Sequence, residues 1–239
     1  MIDGRKIIAI VPARAGSKGI KRKNLAEIHG KPLVFYPINA ALKSKYIDFV
    51  FCSTDSDEIA KLSARFGADV SYLRGKKLAS DKAASADVLI DVINFFEERD
   101  KFFEYVVMIE PTSPLTQSFD IDEAIEKLHQ GRRGFDSIIS IAKSISGHPQ
   151  FTFSLSKNGR VSPFDKSQWR FLRRQDLKPY FFQTGSFYLS KISALKKHRS
   201  FISERTMGLE VPKWKSFEID DYTDLIIIEA LKKMESIYE

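Results

Sequence analysis

Short, unbroken aliphatic runs recur along this chain: Lys6 to Val11 (KIIAIV, ending at Pro12), Phe49 to Ser53 (FVFCS), Tyr105 to Ile109 (YVVMI) and Ser137 to Ile141 (SIISI). A strand covered on both faces has no reason to alternate polar with apolar residues, so such runs mark the interior of a parallel sheet. Segments of helical period lie between them, near Pro32 to Ser44, Ser56 to Phe66, Ala86 to Glu98 and Ile121 to Gln130. Strands alternating with helices are βαβ units, and the fold class expected is α/β. Ser56 and Asp120 are expected to cap their helices. A last helix, roughly Tyr222 to Ile237, sets Leu225, Ile228, Leu231 and Met234 on one stripe, expected to be core.

The alternation breaks down between about Lys143 and Tyr180, where Gly147, Pro149, Gly159, Pro163 and Pro179 punctuate short aromatic segments. Phe151 to Leu155 and Arg160 to Ser162, joined through Asn158-Gly159, read as a hairpin, because Asn-Gly suits the positive φ of a tight turn. The expected organisation is one domain over 1–239, with a β-rich insertion at about 143–180 acting as a lid or dimer contact.

With 239 residues, 43% of them hydrophobic, the chain can bury a full core. No apolar run approaches the roughly 20 residues that cross a bilayer, so no membrane partner is expected. The opening MIDGRKIIAIV lacks a small-residue cleavage site and does not read as a signal peptide. Cys52 is the only cysteine, which excludes an internal disulfide framework and a cysteine-based zinc site and fits a cytoplasmic location. A formal charge of +7 suits nucleic acid, an anionic surface or small anionic substrates, and does not choose among them.

Ligands of open parallel sheets collect beyond the carboxyl ends of the strands, which directs attention to the loop after the first run. From Arg14 to Lys31 it carries six Lys or Arg residues against one acid, Glu27, with Gly16, Ser17 and Gly19 interspersed. Glycines let backbone amides approach an anion, and Arg14, Lys18 and Lys23 can bring charge to phosphates. Neither G-x-x-x-x-G-K-[ST] nor G-x-G-x-x-G occurs, so NTP hydrolysis and NAD binding lose support. By composition alone a solvated basic loop is an equal reading.

Two further constellations stand out. Ser80-Asp81 and Ser85 either open a helix toward a nucleotide or merely cap it. Glu218 and Asp220, on an extended segment after an expected strand from Trp214 to Phe217, would project to one side. Such a pair suits Mg²⁺, which takes one or two carboxylates plus phosphates and waters; the competing reading is a cap for the last helix, with Asp220 or Asp221 at its start. The four histidines are dispersed and form no metal motif.

The string Ala13-Arg14, Ser17-Lys18-Gly19, Lys23-Asn24 resembles the first-loop hallmark of the acylneuraminate cytidylyltransferases, or CMP-sialic acid synthetases. Ser53-Thr54-Asp55, then Arg74 with Leu78-Ala79-Ser80-Asp81, then Pro111-Thr112-Ser113-Pro114-Leu115 follow in the family's order. The resemblance covers nearly the whole chain. It implies a Rossmann-like three-layer sandwich with a mostly parallel mixed sheet, and transfer of CMP from CTP to a nine-carbon 2-keto sugar acid with release of pyrophosphate.

By the same likeness Ala13, Arg14, Ser17, Lys18, Lys23 and Asn24 bind the nucleotide, together with Arg74, Ser80, Asp81 and Ser85. Glu110, Thr112, Ser113, Arg174, Gln183, Thr184 and Gly185 fall at the sugar. Arg14, Lys23 and Asp220 carry the chemistry, and Asp220 with Glu218 holds Mg²⁺. The family commonly has D-x-D at the metal, so Glu218 is a departure. Glu110 stands where sialic acid enzymes often have glutamine, and Thr184 where many relatives have asparagine; both make legionaminic or pseudaminic acid as credible a substrate as N-acetylneuraminic acid. A homodimer is implied. The rival readings are a CMP-ketodeoxyoctonate-type synthetase, a nucleic-acid-binding protein, although no nucleic-acid motif is present, and a non-catalytic nucleotide-binding subunit.

Overall fold

A computed structural model of the chain describes residues 1–17, 19–144, 147–164, 173 and 177–234. In chain order its strands and helices are β1 (Ile7–Pro12), β2 (Glu27–Ile28), β3 (Lys31–Pro32), α1 (Phe35–Leu42), β4 (Phe49–Ser53), α2 (Asp57–Arg65), α3 (Ser85–Glu97) and β5 (Tyr105–Met108). Then come α4 (Ser118–Gln130), β6 (Ser137–Lys143), β7 (Phe153–Leu155), β8 (Val161–Pro163), β9 (Phe181–Lys191), α5 (Ile192–His198), β10 (Thr206–Glu210) and α6 (Tyr222–Lys233).

Six strands form the central sheet in the order β10-β6-β9-β5-β1-β4. All pair in parallel except β9, which runs antiparallel to both β5 and β6. Successive residues of β1 point to opposite faces, and both faces are covered. Ile7, Ala9 and Val11 join a core with α1, α2 and α4, whereas Ile8 and Ile10 pack with α3 and α5. That explains the unbroken aliphatic run, since each fully buried Ile is worth roughly 1.5–3 kcal/mol on either face. The α/β three-layer, mostly parallel mixed sheet expected from the sequence is the one found.

Local chemistry sets the helix ends. Ser56 caps α2 by accepting from the Ile59 amide. Asp120 does not cap α4: it lies in the first turn and accepts the amide of Gln117, the N-cap, in a capping box. The hairpin β7–β8 turns through Gly159 at φ 83°, with strand ends shifted because Pro149–Phe151 forms a 3-10 turn. The expected strand from Trp214 to Phe217 is instead a 3-10 turn, Lys213–Ser216, which lets Lys215 turn inward. On α6 only Ile228 is fully buried; Leu225 and Leu231 are half-buried and Met234 is exposed, so the stripe is shallower than a core stripe. The last residues of that expected helix, 235–237, lie outside the described residues. Among the described residues no helix is long and apolar enough to cross a membrane.

Strand order places the site. From β1 the chain moves outward to β4 and then returns across β1 to β5, so β1 is the switch point at which a crevice opens beyond the carboxyl ends.

Candidate active site

A cavity of about 600 Å³ occupies that crevice, lined by the loop after β1, the segment from Arg74 to Ser85, Glu110 to Thr112 and Asp220. The loop after β1 folds on its own side chains. Ser17 Oγ donates to the Ile20 carbonyl and accepts the Lys23 amide at 3.1 Å, and Asn24 Nδ2 holds the Arg14 carbonyl at 2.8 Å. Arg22 takes a left-handed φ of 58°, leading into a 3-10 turn at Lys23–Leu25. Asp55, just beyond β4, accepts the Ala15 amide at 2.7 Å. Ser53-Thr54-Asp55 was visible in the sequence, but its loop-shaping role was not.

Three basic side chains, Arg14, Lys23 and Arg74, line the cavity. Lys23 Nζ donates to the Ile219 carbonyl at 2.9 Å and to Asp220 Oδ1 at 3.2 Å. Arg14 pairs with Asp81 across the mouth. Arg74 is 6% exposed, with Nε donating to Ser53 Oγ at 3.0 Å and a terminal nitrogen to the Ser53 carbonyl. Burial lowers its pKa from the ordinary arginine value while the Asp55 charge opposes the shift. Its guanidinium is thus pinned to the end of β4 and set in the cavity wall. Behind it Leu78, Ala83 and Val88 add an apolar side that the sequence reading did not single out.

Neither Asp81 nor Ser85 caps α3. The N-cap position is Ala84, which has no side-chain bond, and Ser85 opens the helix at the cavity wall. Capping and ligand roles are likewise separated at α6: Asp221 accepts the Thr223 and Asp224 amides, leaving the Asp220 carboxylate in the cavity with its side chain 85% exposed. Glu218 accepts the Gly185 amide and is thereby tied to β9, while it stays close enough to Asp220, Lys23 and Glu110 for their charges to act on one another.

Glu110, at the end of β5, has its pKa raised to about 7, first by burial and then by the charge of Glu218, with the Thr112 hydroxyl and Lys23 opposing. Burial, then the Asp220 charge, raises Glu218 as well. The cavity thus sets Arg14, Lys23 and Arg74 among the carboxyl groups of Glu110, Asp220 and Asp81, with Lys23 paired to Asp220 and Arg14 to Asp81. The cations suit a polyphosphate; the carboxyl groups suit hydrogen-bond donors and a hard cation.

Of the residues singled out from sequence, Arg14, Ser17, Lys23, Asn24, Arg74, Ser80, Asp81, Ser85, Glu110, Thr112 and Asp220 line this one cavity. Ala13 is fully buried, its amide paired with the Ser53 carbonyl. Ser113 is buried and does not reach the cavity. Thr184 turns its hydroxyl into the sheet toward Ser140, Gln183 donates to the Tyr188 hydroxyl, and Gly185 supports Glu218. Lys18 and Arg174 lie outside the described residues. Among the described residues no group of three His, Cys, Asp or Glu side chains is arranged around a metal position. A single exposed carboxylate beside an open cavity nevertheless fits Mg²⁺ that draws its other ligands from phosphate and water.

Known proteins are similar to the chain along its length. The chain is 32% identical over 223 residues to N-acylneuraminate cytidylyltransferase of Streptococcus agalactiae, covering 92% of this chain and 52% of that protein. It is 30% identical to pseudaminic acid cytidylyltransferase of Campylobacter jejuni and 32% identical to CMP-N,N'-diacetyllegionaminic acid synthase of Legionella pneumophila, each alignment covering 96% of this chain and 97% of the relative. The chain therefore spans about half the length of the first of these relatives and nearly all of the other two. A solved CMP:2-keto-3-deoxy-manno-octonic acid synthetase complexed with CTP shares the fold, with a TM-score of 0.69 at 16% identity over 96% of this chain and 99% of that one. The family model described as cytidylyltransferase matches residues 8–239, and the chain belongs to that family.

Proposed function

We propose that this chain transfers CMP from CTP to a nine-carbon 2-keto sugar acid of the acylneuraminate type. The observation that carries the reading is Lys23, Arg14 and Arg74 gathered on one cavity at the switch point of the sheet, in a chain similar to enzymes named for three such acids. The anomeric hydroxyl attacks the α-phosphorus and gives up its proton to solvent, a new oxygen–phosphorus bond forms, and pyrophosphate leaves with the electrons of the broken bond between the α-phosphorus and the α–β bridging oxygen.

Lys23 and Arg14 hold the triphosphate and offset its charge, with Lys18 assisting. Arg74, fixed by two contacts to Ser53, presents its planar donors to the cytosine. Asp220, with Glu218 near it, would hold Mg²⁺, which supplies charge neutralisation and orients phosphate oxygens. Catalysis is then alignment in a preorganised field, without a covalent enzyme intermediate.

Glu110 at the cavity would exchange hydrogen bonds with the sugar, and with Thr184 it makes legionaminic or pseudaminic acid as credible a substrate as N-acetylneuraminic acid. Exposed Phe153, Leu155, Val161 and Phe164 on and beside the β7–β8 hairpin support a homodimer through that hairpin. A cytoplasmic enzyme would meet CTP directly.

The test is pyrophosphate release from CTP and Mg²⁺ with a panel of nine-carbon acids and the eight-carbon ketodeoxyoctonate. Turnover with a nine-carbon acid is expected. Turnover with the eight-carbon acid alone, or CTP binding without turnover of any sugar, rejects the assignment. Sedimentation velocity checks the dimer, which a monomer at micromolar concentration would exclude.

A further inference from the structure

The segment from Val211 to Asp221 carries Glu218 and Asp220 to the cavity as a strap laid across β9 and the 110–116 loop. Only the Lys213–Ser216 turn gives it regular structure. Its register depends on a few discrete ties. The Val211 amide donates to the Ile141 carbonyl, the Lys215 carbonyl accepts from Ser186 Oγ at 3.3 Å, and the Ile219 amide donates to the Thr112 carbonyl at 2.9 Å.

The strongest tie lies on the far side from the cavity. Lys215 is 2% exposed, and its Nζ donates at 2.7 Å to both oxygens of Asp120, itself 6% exposed. The ammonium also lies 4.0 Å from the centre of the Phe119 ring and 5.1 Å from that of Trp214. Asp120 is in turn fixed by the Gln117 amide at the start of α4. A buried ion pair adds little stability over well-packed apolar residues, because desolvation offsets the attraction. What it does supply is position: a register that parted Lys215 from Asp120 would leave two buried charges unpaired.

We propose that Asp120 and Lys215 are positioning residues for the reaction, setting the register of the strap so that Asp220 meets Lys23. Lys215 precedes Glu218 by three residues and Asp220 by five. The strap's carbonyl at Ile219 is the one Lys23 Nζ grips, and position 19 must be glycine because a Cβ there would collide with the Asp220 carbonyl. A strap slipped by one residue loses these contacts together.

The proposal rests on the reading of the activity given above, and its test separates the two. Lys215→Met alone strands a buried carboxylate and is expected to lower the thermal midpoint. Lys215→Met with Asp120→Asn removes both charges, keeps an acceptor for the Gln117 amide, and is expected to bring the midpoint back to within about 3 °C of the unaltered protein. In that double variant kcat should still fall by about tenfold to a hundredfold, the scale of a misplaced group, while KM for CTP stays within about twofold. Hydrogen exchange at the Ile219 amide should quicken without any change at β1.

Unaltered kcat and Ile219 exchange in the double variant overturn the proposal. So does a kcat loss that only tracks a lowered midpoint, which marks a merely structural pair. If the unaltered protein turns over no sugar acid, the reading of the activity fails, and Ile219 exchange alone then decides whether the pair anchors the strap.

Discussion

Glu218 lies against Gly185: its Oε1 accepts the Gly185 amide, and a Cβ at position 185 would stand 2.6 Å from the carboxylate. A Cβ there meets only the far end of a flexible side chain, so Glu218 can give way. Gly185→Ala should push Glu218 off β9 and cost about 0.5–1.5 kcal/mol, the scale of the hydrogen bond lost. Urea unfolding checks this, and Glu218→Gln, which keeps an acceptor oxygen, should lose much less. Equal stability of Gly185→Ala and the unaltered protein would refute the contact.

The glycines of the first loop are not equivalent. A Cβ at Gly16 meets nothing within 4 Å, whereas one at Gly19 meets the backbone carbonyl of Asp220. Gly16→Ala should leave the fold unstrained, and Gly19→Ala should lose most of the turnover by separating the loop from the strap. Steady-state kinetics on the two variants, with circular dichroism to confirm folding, compares them directly.

Lys23 is the charge shared between the loop and the strap. Lys23→Ala should lower kcat by about a hundredfold to a thousandfold, the range for deleting one preorganised donor. Its effect on stability should be about 1 kcal/mol, mostly from the lost hydrogen bond to the Ile219 carbonyl, because the Asp220 partner is solvated. A variant with undiminished pyrophosphate release would remove Lys23 from the mechanism.

Asp220→Asn should raise the Mg²⁺ concentration needed for half-maximal activity and leave the fold intact, since Asp221 does the capping of α6. A magnesium titration of pyrophosphate release gives the answer. An unchanged titration curve would take the metal away from Asp220.

Glu110 gives a pH signature. Its folded pKa of about 7 exceeds the ordinary 4.5, so the folded state holds a proton that the unfolded chain has released between those values. Stability from this group is therefore undiminished below pH 4.5 and falls as pH rises toward 7, by about 3 kcal/mol in all. Glu110→Gln should be free of that slope and become the more stable protein above pH 7. Urea midpoints across this range in magnesium-free buffer measure the difference; parallel curves would contradict it.

Strands buried on both faces announce themselves, and Phe49–Ser53 coincides with its sequence run. β9 was hidden because Gly185 interrupts it and its first three residues are exposed. α5 was hidden because only Ile192 and Leu195 are buried in it. Within the site, the first loop could be read because all its charge is local. The direction of Glu218 could not, since it depends on Gly185, 33 residues earlier in the chain. The choice between Asp220 and Asp221 at the cap was likewise settled by which one reached the Thr223 amide.

The contact between Lys23 and Asp220 joins residues 197 positions apart. During synthesis a ribosome releases the first loop long before the strap that completes it. A chain cut short before residue 219 would lack Asp220, the carbonyl that fixes Lys23, and the Ile219 and Ile228 side chains that pack with Ile20, Ile28 and Leu33 in and beyond the loop. The segment most legible in the sequence is therefore among the last to acquire its final shape.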